Sequence, residues 1–538
     1  MFRLVAAIAA LSFAMPAQAD WHVAESDHFV VYADDSEKDV RRFSEMLERY
    51  HAAMEFVTGR EAETPSPSNR VTVYAVGGKR QIRELAGSKN VGGFYIPRAG
   101  GSMAFVPDVR PSTGELEWSM TILLHEYAHH FLISSSRYAM PRWMDEGSAE
   151  FFASARFPRD GEVHIGRPAY HRSAELAFAP EVQLEDLFER GRHRAGEELR
   201  RDNFYGRSWA LYHYLTFDPA RKGQLLAYAR EIAAGASSID AARAAFGDLG
   251  QLRKDLDRYL MQRKIKGFVL QPEILPIGEI SVRRLSEGMS EMLPVMIRSK
   301  RGVDREAAAV VLVDARAVAA AYPRDAGVLA ALAEAEYDAG NLDAAIAAAD
   351  AAIAIDPARK NAYVQKGYAL FAQAADAEDE TAAYKEAMKP FTALNRLEND
   401  HPLPLIHYYR SFAERGAEPS ETAKHALDRA AQLAPFDHGL AVNAALMHAK
   451  IGNIAAARQY LTPVAANPHG GSAARQAQVL LDQLENAEEG TPWRRRPVVD
   501  LTRALSSIAR SVAEKEAQQA EDGDRGEQNR ARHSSASV

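Results

Sequence analysis

The sequence predicts two architectures in series, an α+β unit followed by an all-α solenoid of repeated helix pairs. Three observations carry this. Strand-like and helix-like patterns alternate up to about residue 110. From about 115 to 265 apolar residues fall almost throughout at helical spacing. Prolines at 323, 357, 402, 435 and 468 then recur at spacings of 34, 45, 33 and 33. At 538 residues the chain is too long for one ordinary core. An apolar fraction of 47% is that of a globular protein, and a net charge of −8 leaves no footprint for nucleic acid. Cysteine is absent. Disulfides, thiolate ligands and cysteine nucleophiles are thereby excluded, so any metal must sit on histidine and carboxylate.

Residues 1–19 read as a secretory signal. Arg3 is the positive end, Leu4 to Met15 the apolar stretch, and Ala17-Gln18-Ala19 the small-x-small cleavage pattern before Asp20. The mature protein is expected to be exported, periplasmic or secreted. No later segment reaches the roughly 18 uncharged apolar residues that a spanning helix needs, so no transmembrane segment is expected after signal removal.

The unit at 20–265 opens with strand candidates at 28–32, 71–76 and 103–106, separated by a helical pattern over 37–57. Segment 266–320 reads as a connector with short strands at 268–270 and 279–282, and 321–485 holds the repeats. From 486 to 538 the composition turns to Glu, Gln, Arg, Ser and Gly, a polar tail expected to be largely disordered, with an amphipathic stretch at 498–513.

The chemistry concentrates in Leu123-Leu124-His125-Glu126-Tyr127-Ala128-His129-His130. Histidines four apart lie on one helix face, close enough to hold one ion, and Glu126 beside them can serve as general base. A pair of ordinary core histidines would show the same spacing. The second element is Pro141-Arg142-Trp143-Met144-Asp145-Glu146-Gly147-Ser148-Ala149-Glu150, with 16 residues separating His129 from Glu146. Together the two elements resemble the gluzincin zinc metallopeptidases, with HExxH followed by a W-x-x-E-G-x-A-like helix. The resemblance implies a thermolysin-like α+β domain, zinc on His125, His129 and Glu146, an open position for water, and hydrolysis of peptide or protein substrates. Glu150, one turn beyond Glu146, would orient a ligand histidine; Asp145 reads as a solvated position. Phe204-Tyr205-Gly206-Arg207-Ser208 resembles the segment that supplies a transition-state tyrosine in gluzincin aminopeptidases, which makes Tyr205 an oxyanion donor; an aromatic core helix is the alternative. Where those aminopeptidases carry an acid on a strand before the zinc helix, Gly100-Gly101-Ser102-Met103-Ala104-Phe105 has none. That disfavours exopeptidase action but leaves a strand edge for an extended peptide.

The repeat period is similar to that of tetratricopeptide repeats, clearest over Leu329, Leu332, Tyr337, Gly340, Leu342, Ala345, Ala352 and Pro357. The resemblance implies a groove for a protein partner or substrate. A repeat-based scaffold or assembly factor built on an inactive peptidase fold is the other function class.

Overall fold

The computed structural model describes residues 20–61, 63–89, 91–109, 116–136, 139–189, 202–467 and 470–493. The secretory signal, the tail beyond 493 and the stretch at 498–513 lie outside the described residues. The strands are β1 (Trp21–Glu25), β2 (Phe29–Asp34), β3 (Val71–Ala75), β4 (Phe94–Ile96), β5 (Met103–Val106), β6 (Val163–Ile165), β7 (Phe268–Leu270) and β8 (Ser281–Arg284). Six of them form one sheet in the order β4-β5-β3-β2-β1-β8, while β6 and β7 pair separately.

Between β2 and β3 runs α1 (Glu37–Thr58), and between β3 and β4 runs α2 (Lys79–Ala86). β2 and β3 are parallel, which requires such a crossover. Helix α1 starts where the Ser36 side chain accepts the Asp39 N–H at 3.2 Å, and ends at left-handed Gly59. Alternation along β2 sends Phe29, Val31 and Ala33 into the core under α1 and turns Val30 and Tyr32 to the other face. Strand β5 is internal. On that side the sheet edge belongs to β4, antiparallel to β5, so the edge expected at 100–105 lies one strand further out.

The helices that follow are α3 (Trp118–Ser135), α4 (Arg142–Ala153), α5 (Ser173–Phe178), α6 (Leu184–Glu189), α7 (Phe204–Phe217), α8 (Gln224–Ala233), α9 (Ser238–Phe246) and α10 (Leu249–Leu260). Trp143 on α4 anchors this lobe, packed among Phe188, Tyr228 and Phe246, with its indole N–H donated to the Tyr228 hydroxyl at 2.8 Å.

Segment 266–320, expected to connect the two architectures, also packs on the sheet. β8 pairs antiparallel with β1 (Val23↔Arg283), and α11 (Glu287–Arg301) lays Leu293 and Ile297 on the second sheet face against Trp21, Val23 and Phe105. That face carries a ladder of Tyr32, Tyr74 and Phe105, with ring centroids 5.4 Å apart at each step. So much aromatic surface needs a cover, and α11 supplies it.

Helix pairs continue with α12 (Arg305–Ala321), α13 (Ala326–Asp338), α14 (Leu342–Ile355), α15 (Lys360–Ala374), α16 (Glu380–Leu397), α17 (Pro402–Ala413), α18 (Glu421–Leu433), α19 (His438–Lys450), α20 (Ile454–Ala466) and α21 (Gly471–Leu484). Starts at Ala326, Lys360, Pro402 and His438 lie 34, 42 and 36 residues apart, the tetratricopeptide-like period with one lengthened unit. Gly340 turns the chain at φ +81°, and the methyl-sized Ala349 and Ala352 let α14 close on Leu329, Ala333 and Ala362. The acidic insertion before α16 supplies its cap, Asp379 accepting the Ala382 N–H at 3.0 Å.

Candidate metal site

Helix α3 is apolar almost all round, which is why it is buried: Leu124, Ala128, Phe131 and Leu132 sink into the core beside the histidines. Helix α4 follows, and its residues 143–153 are all buried, acids included. A Cβ placed on Gly147 would lie 2.5 Å from the Ser208 carbonyl oxygen, so α4 and α7 approach each other more closely than any larger residue permits.

This packing brings His125, His129 and Glu146 together. The two Nε2 atoms are 3.1 Å apart, and Glu146 Oε2 lies 3.3 Å from His125 Nε2 and 3.4 Å from His129 Nε2. Ligand atoms about 2.0–2.1 Å from a shared tetrahedral ion are about 3.3 Å from one another. The three spacings match that edge length, and among the described residues this is the group of histidine and carboxylate side chains arranged to hold an ion. The donor set, two imidazoles and one carboxylate, suits zinc.

Each ring is also held from behind. His129 Nδ1 is 2.9 Å from Asp145 Oδ1, and His125 Nδ1 is 3.3 Å from Glu150 Oε1. With Nδ1–H donated to a carboxylate, the Nε2 lone pair of each ring points at the common centre. Asp145 is therefore not the solvated residue expected from sequence. It is buried because the first turn of α4 packs against α3 at His129. Glu150 is 1% exposed, and although burial opposes ionisation, His125, His171 and Arg172 hold its carboxyl well below the usual range. His171 Nε2 and Arg172 Nη2 each lie 2.5 Å from it. Sequence reasoning missed His171 and Arg172, which sit outside any spacing pattern.

Glu126 is half-buried beside His125 and within electrostatic reach of the Tyr95 phenol on β4. Tyr205 is the second residue of α7, half-buried, with Arg172 stacked 4.6 Å from its ring centre and Arg142 hydrogen-bonded to its hydroxyl. Burial, then the negative charge of nearby Glu146, pushes that phenol upward, so it stays a donor at neutral pH. The residues singled out in the sequence, from His125 to Tyr205, thus belong to one neighbourhood.

No protein-family model and no curated protein matches the chain. Among solved structures it is similar to TTC0263, a tetratricopeptide-repeat protein of Thermus thermophilus, at 18% identity and a TM-score of 0.29, covering 33% of this chain and 90% of that one. It is also similar to yeast Tom70, at 13% identity and a TM-score of 0.24, covering 59% of this chain and 72% of the other. At such scores neither likeness bears on the site.

Proposed function

We propose that the protein is an exported zinc-dependent peptidase whose repeats bind protein partners or substrates. The observation that carries this is the convergence of His125, His129 and Glu146 at tetrahedral edge spacing, each imidazole backed by its own carboxylate. A scaffold needs none of these five side chains, and burying them costs free energy that a bound cation recovers.

When bound, zinc acidifies a water molecule and polarises a carbonyl. The chain's own residues do the rest. Glu126 accepts the water's proton and delivers it to the departing amine. Tyr205 donates to the oxygen that gains charge as the carbonyl carbon becomes tetrahedral. Arg172 holds the phenol ring from one side and the Glu150 carboxylate from the other, linking the oxyanion donor to the His125 support. Strand β4 presents unpaired backbone groups at the sheet edge, where an extended peptide can add as a further strand.

The test is Glu126→Gln in the mature chain. It should keep the zinc content of the parent, because Glu126 is not a ligand, and lose hydrolysis of a fluorescent casein. Cleavage at the parental rate would remove the peptidase assignment; absence of zinc from the parent would point to the scaffold reading.

A further inference from the structure

Three segments of the catalytic lobe converge on the repeat array close to the metal site. At the first, Ser68 donates its N–H and hydroxyl to Glu398 at the end of α16, at 2.9 and 2.8 Å, and the Asn69 amide donates to Leu433 O at 3.2 Å. At the second, the turn between β4 and β5, Ala99 N–H donates to Asp437 Oδ2 at 2.9 Å and Gly100 N–H to Asn69 Oδ1 at 3.1 Å. Gly100, at φ +76°, is pressed so close to α17 that a Cβ would stand 3.0 Å from Leu403 and 3.2 Å from His401. At the third, the end of α3, Phe436 lies on the His130 ring with centroids 4.4 Å apart. Ala99 and Ile133 also share an apolar cluster with Leu427, Ala434, Phe436 and Leu440 of the array.

His130 joins these contacts to the chemistry. It follows the ligand His129 directly, and its Nδ1 lies 2.6 Å from the Tyr95 hydroxyl in the middle of β4. One face of the ring meets Phe436 and another stacks on Tyr127, centroids 5.8 Å apart. The edge strand, the metal-site helix and the α18–α19 corner of the repeats are thus tied at one residue. The turn that follows β4 is tied a second time, through Ala99 and Asp437.

We propose that the α18–α19 corner of the repeat array, through Asp437 on the Ala99 amide and Phe436 on His130, is a positioning element that fixes the edge strand β4 beside the metal site. The array is then an integral wall of the catalytic unit, and a partner that displaces the corner from Ala99 and His130 lowers substrate binding at β4. This rests on the reading of β4 as the strand that a peptide substrate joins.

Asp437 offers a selective test because its two oxygens do different jobs. Oδ1 caps α19 by accepting Leu440 N–H at 3.0 Å, while Oδ2 accepts from Ala99. Asparagine is an equally good helix cap, so Asp437→Asn keeps the cap and turns an NH2 toward the Ala99 N–H. In the full mature chain, hydrogen exchange at amides 94–105 should quicken by about tenfold to a hundredfold, as for loss of a bond to a charged acceptor. Zinc content should match the parent. With a random octapeptide library read by mass spectrometry, KM should rise about tenfold while kcat changes by less than about twofold. Phe436→Leu keeps an apolar side chain but removes the ring from His130, and should show the same pattern should the first variant fold poorly. Unchanged exchange at 94–105 in both variants overturns the positioning role, and faster exchange with unchanged KM overturns its link to substrate. If the parent cleaves no peptide, the peptidase reading fails by itself, and the exchange measurement still decides whether the corner positions β4.

Discussion

Gly147→Ala places a methyl carbon where α4 and α7 meet, and the two effects of that carbon have opposite signs. Alanine in a helix interior is favoured over glycine by about 1 kcal/mol. The added Cβ would stand 2.5 Å from Ser208 O, 2.8 Å from Ser208 C and 3.3 Å from Tyr212 Cβ, and backbone cannot swing aside as a side chain does. Restoring ordinary contact at 3.4 Å moves α7 outward by about 0.9 Å. Overpacking of that kind costs about 2–3 kcal/mol, which leaves a net loss of about 1–2 kcal/mol. In a lobe of this size that is a fall in melting temperature of about 2–8 °C, measured on the zinc-loaded chain. Because Gly147 adjoins Glu146 and Tyr205 rides on α7, the same shift separates the oxyanion donor from the ligand set, and turnover should drop by about a hundredfold. A variant about 1 kcal/mol more stable than the parent, with native turnover, would show helix propensity acting alone and refute the close approach.

Three further outcomes are expected. Asp145→Asn should weaken zinc binding by about tenfold to a hundredfold, read by competition with a chromophoric chelator; equal affinity would mean that Asp145 does not orient His129. Tyr205→Phe should lower kcat about a hundredfold with KM within about twofold, since an oxyanion donor acts mainly in the transition state, and a loss confined to KM would reassign the phenol to substrate binding. Asp338, on α13, has its carboxyl pushed up to about 6 by burial and then by Glu334. The folded chain therefore holds this proton more tightly than the unfolded one, and stability falls as pH rises from about 4 through 6. Discounted for partial exposure, Asp338→Asn should gain about 1 kcal/mol at pH 8 and nothing near pH 4, measured by denaturant unfolding; a gain independent of pH rejects the cause.

The candidate metal site was legible because the spacing of its side chains is local. His125 and His129 share a face by helical geometry alone, and Glu146 and Glu150 repeat that geometry on the next helix. Asp145 was misread because helix periodicity places it beside the expected inward face, and only the tight seating of α4 between α3 and α7 buries it. His171 and Arg172 reach Glu150 from a segment with no periodic signal, brought there by chain reversal after β6. Tyr205 was singled out by likeness of sequence, whereas its contacts with Arg142 and Arg172 required the fold.

The relation between the two halves was hidden for a different physical reason. A repeat pattern reports contacts at fixed sequence distance, and the prolines report that period faithfully. Contacts between Ser68 and Glu398, Ala99 and Asp437, or His130 and Phe436 span more than 300 residues and involve one or two side chains each, so they leave no period. Strand β8 overlaps the strand expected at 279–282, but its pairing with the open edge of β1, far off in sequence, leaves no such period either. With α11 roofing the sheet and the α18–α19 corner resting on His130, the helical array touches the N-terminal lobe near its start and again in its second half, ahead of α20 and α21. A solenoid held that way cannot change its curvature without pulling on the sheet, on β4, or on the helix that carries His125 and His129. On the proposed reading, binding along the repeats is expected to be coupled to geometry at the candidate metal site through these contacts.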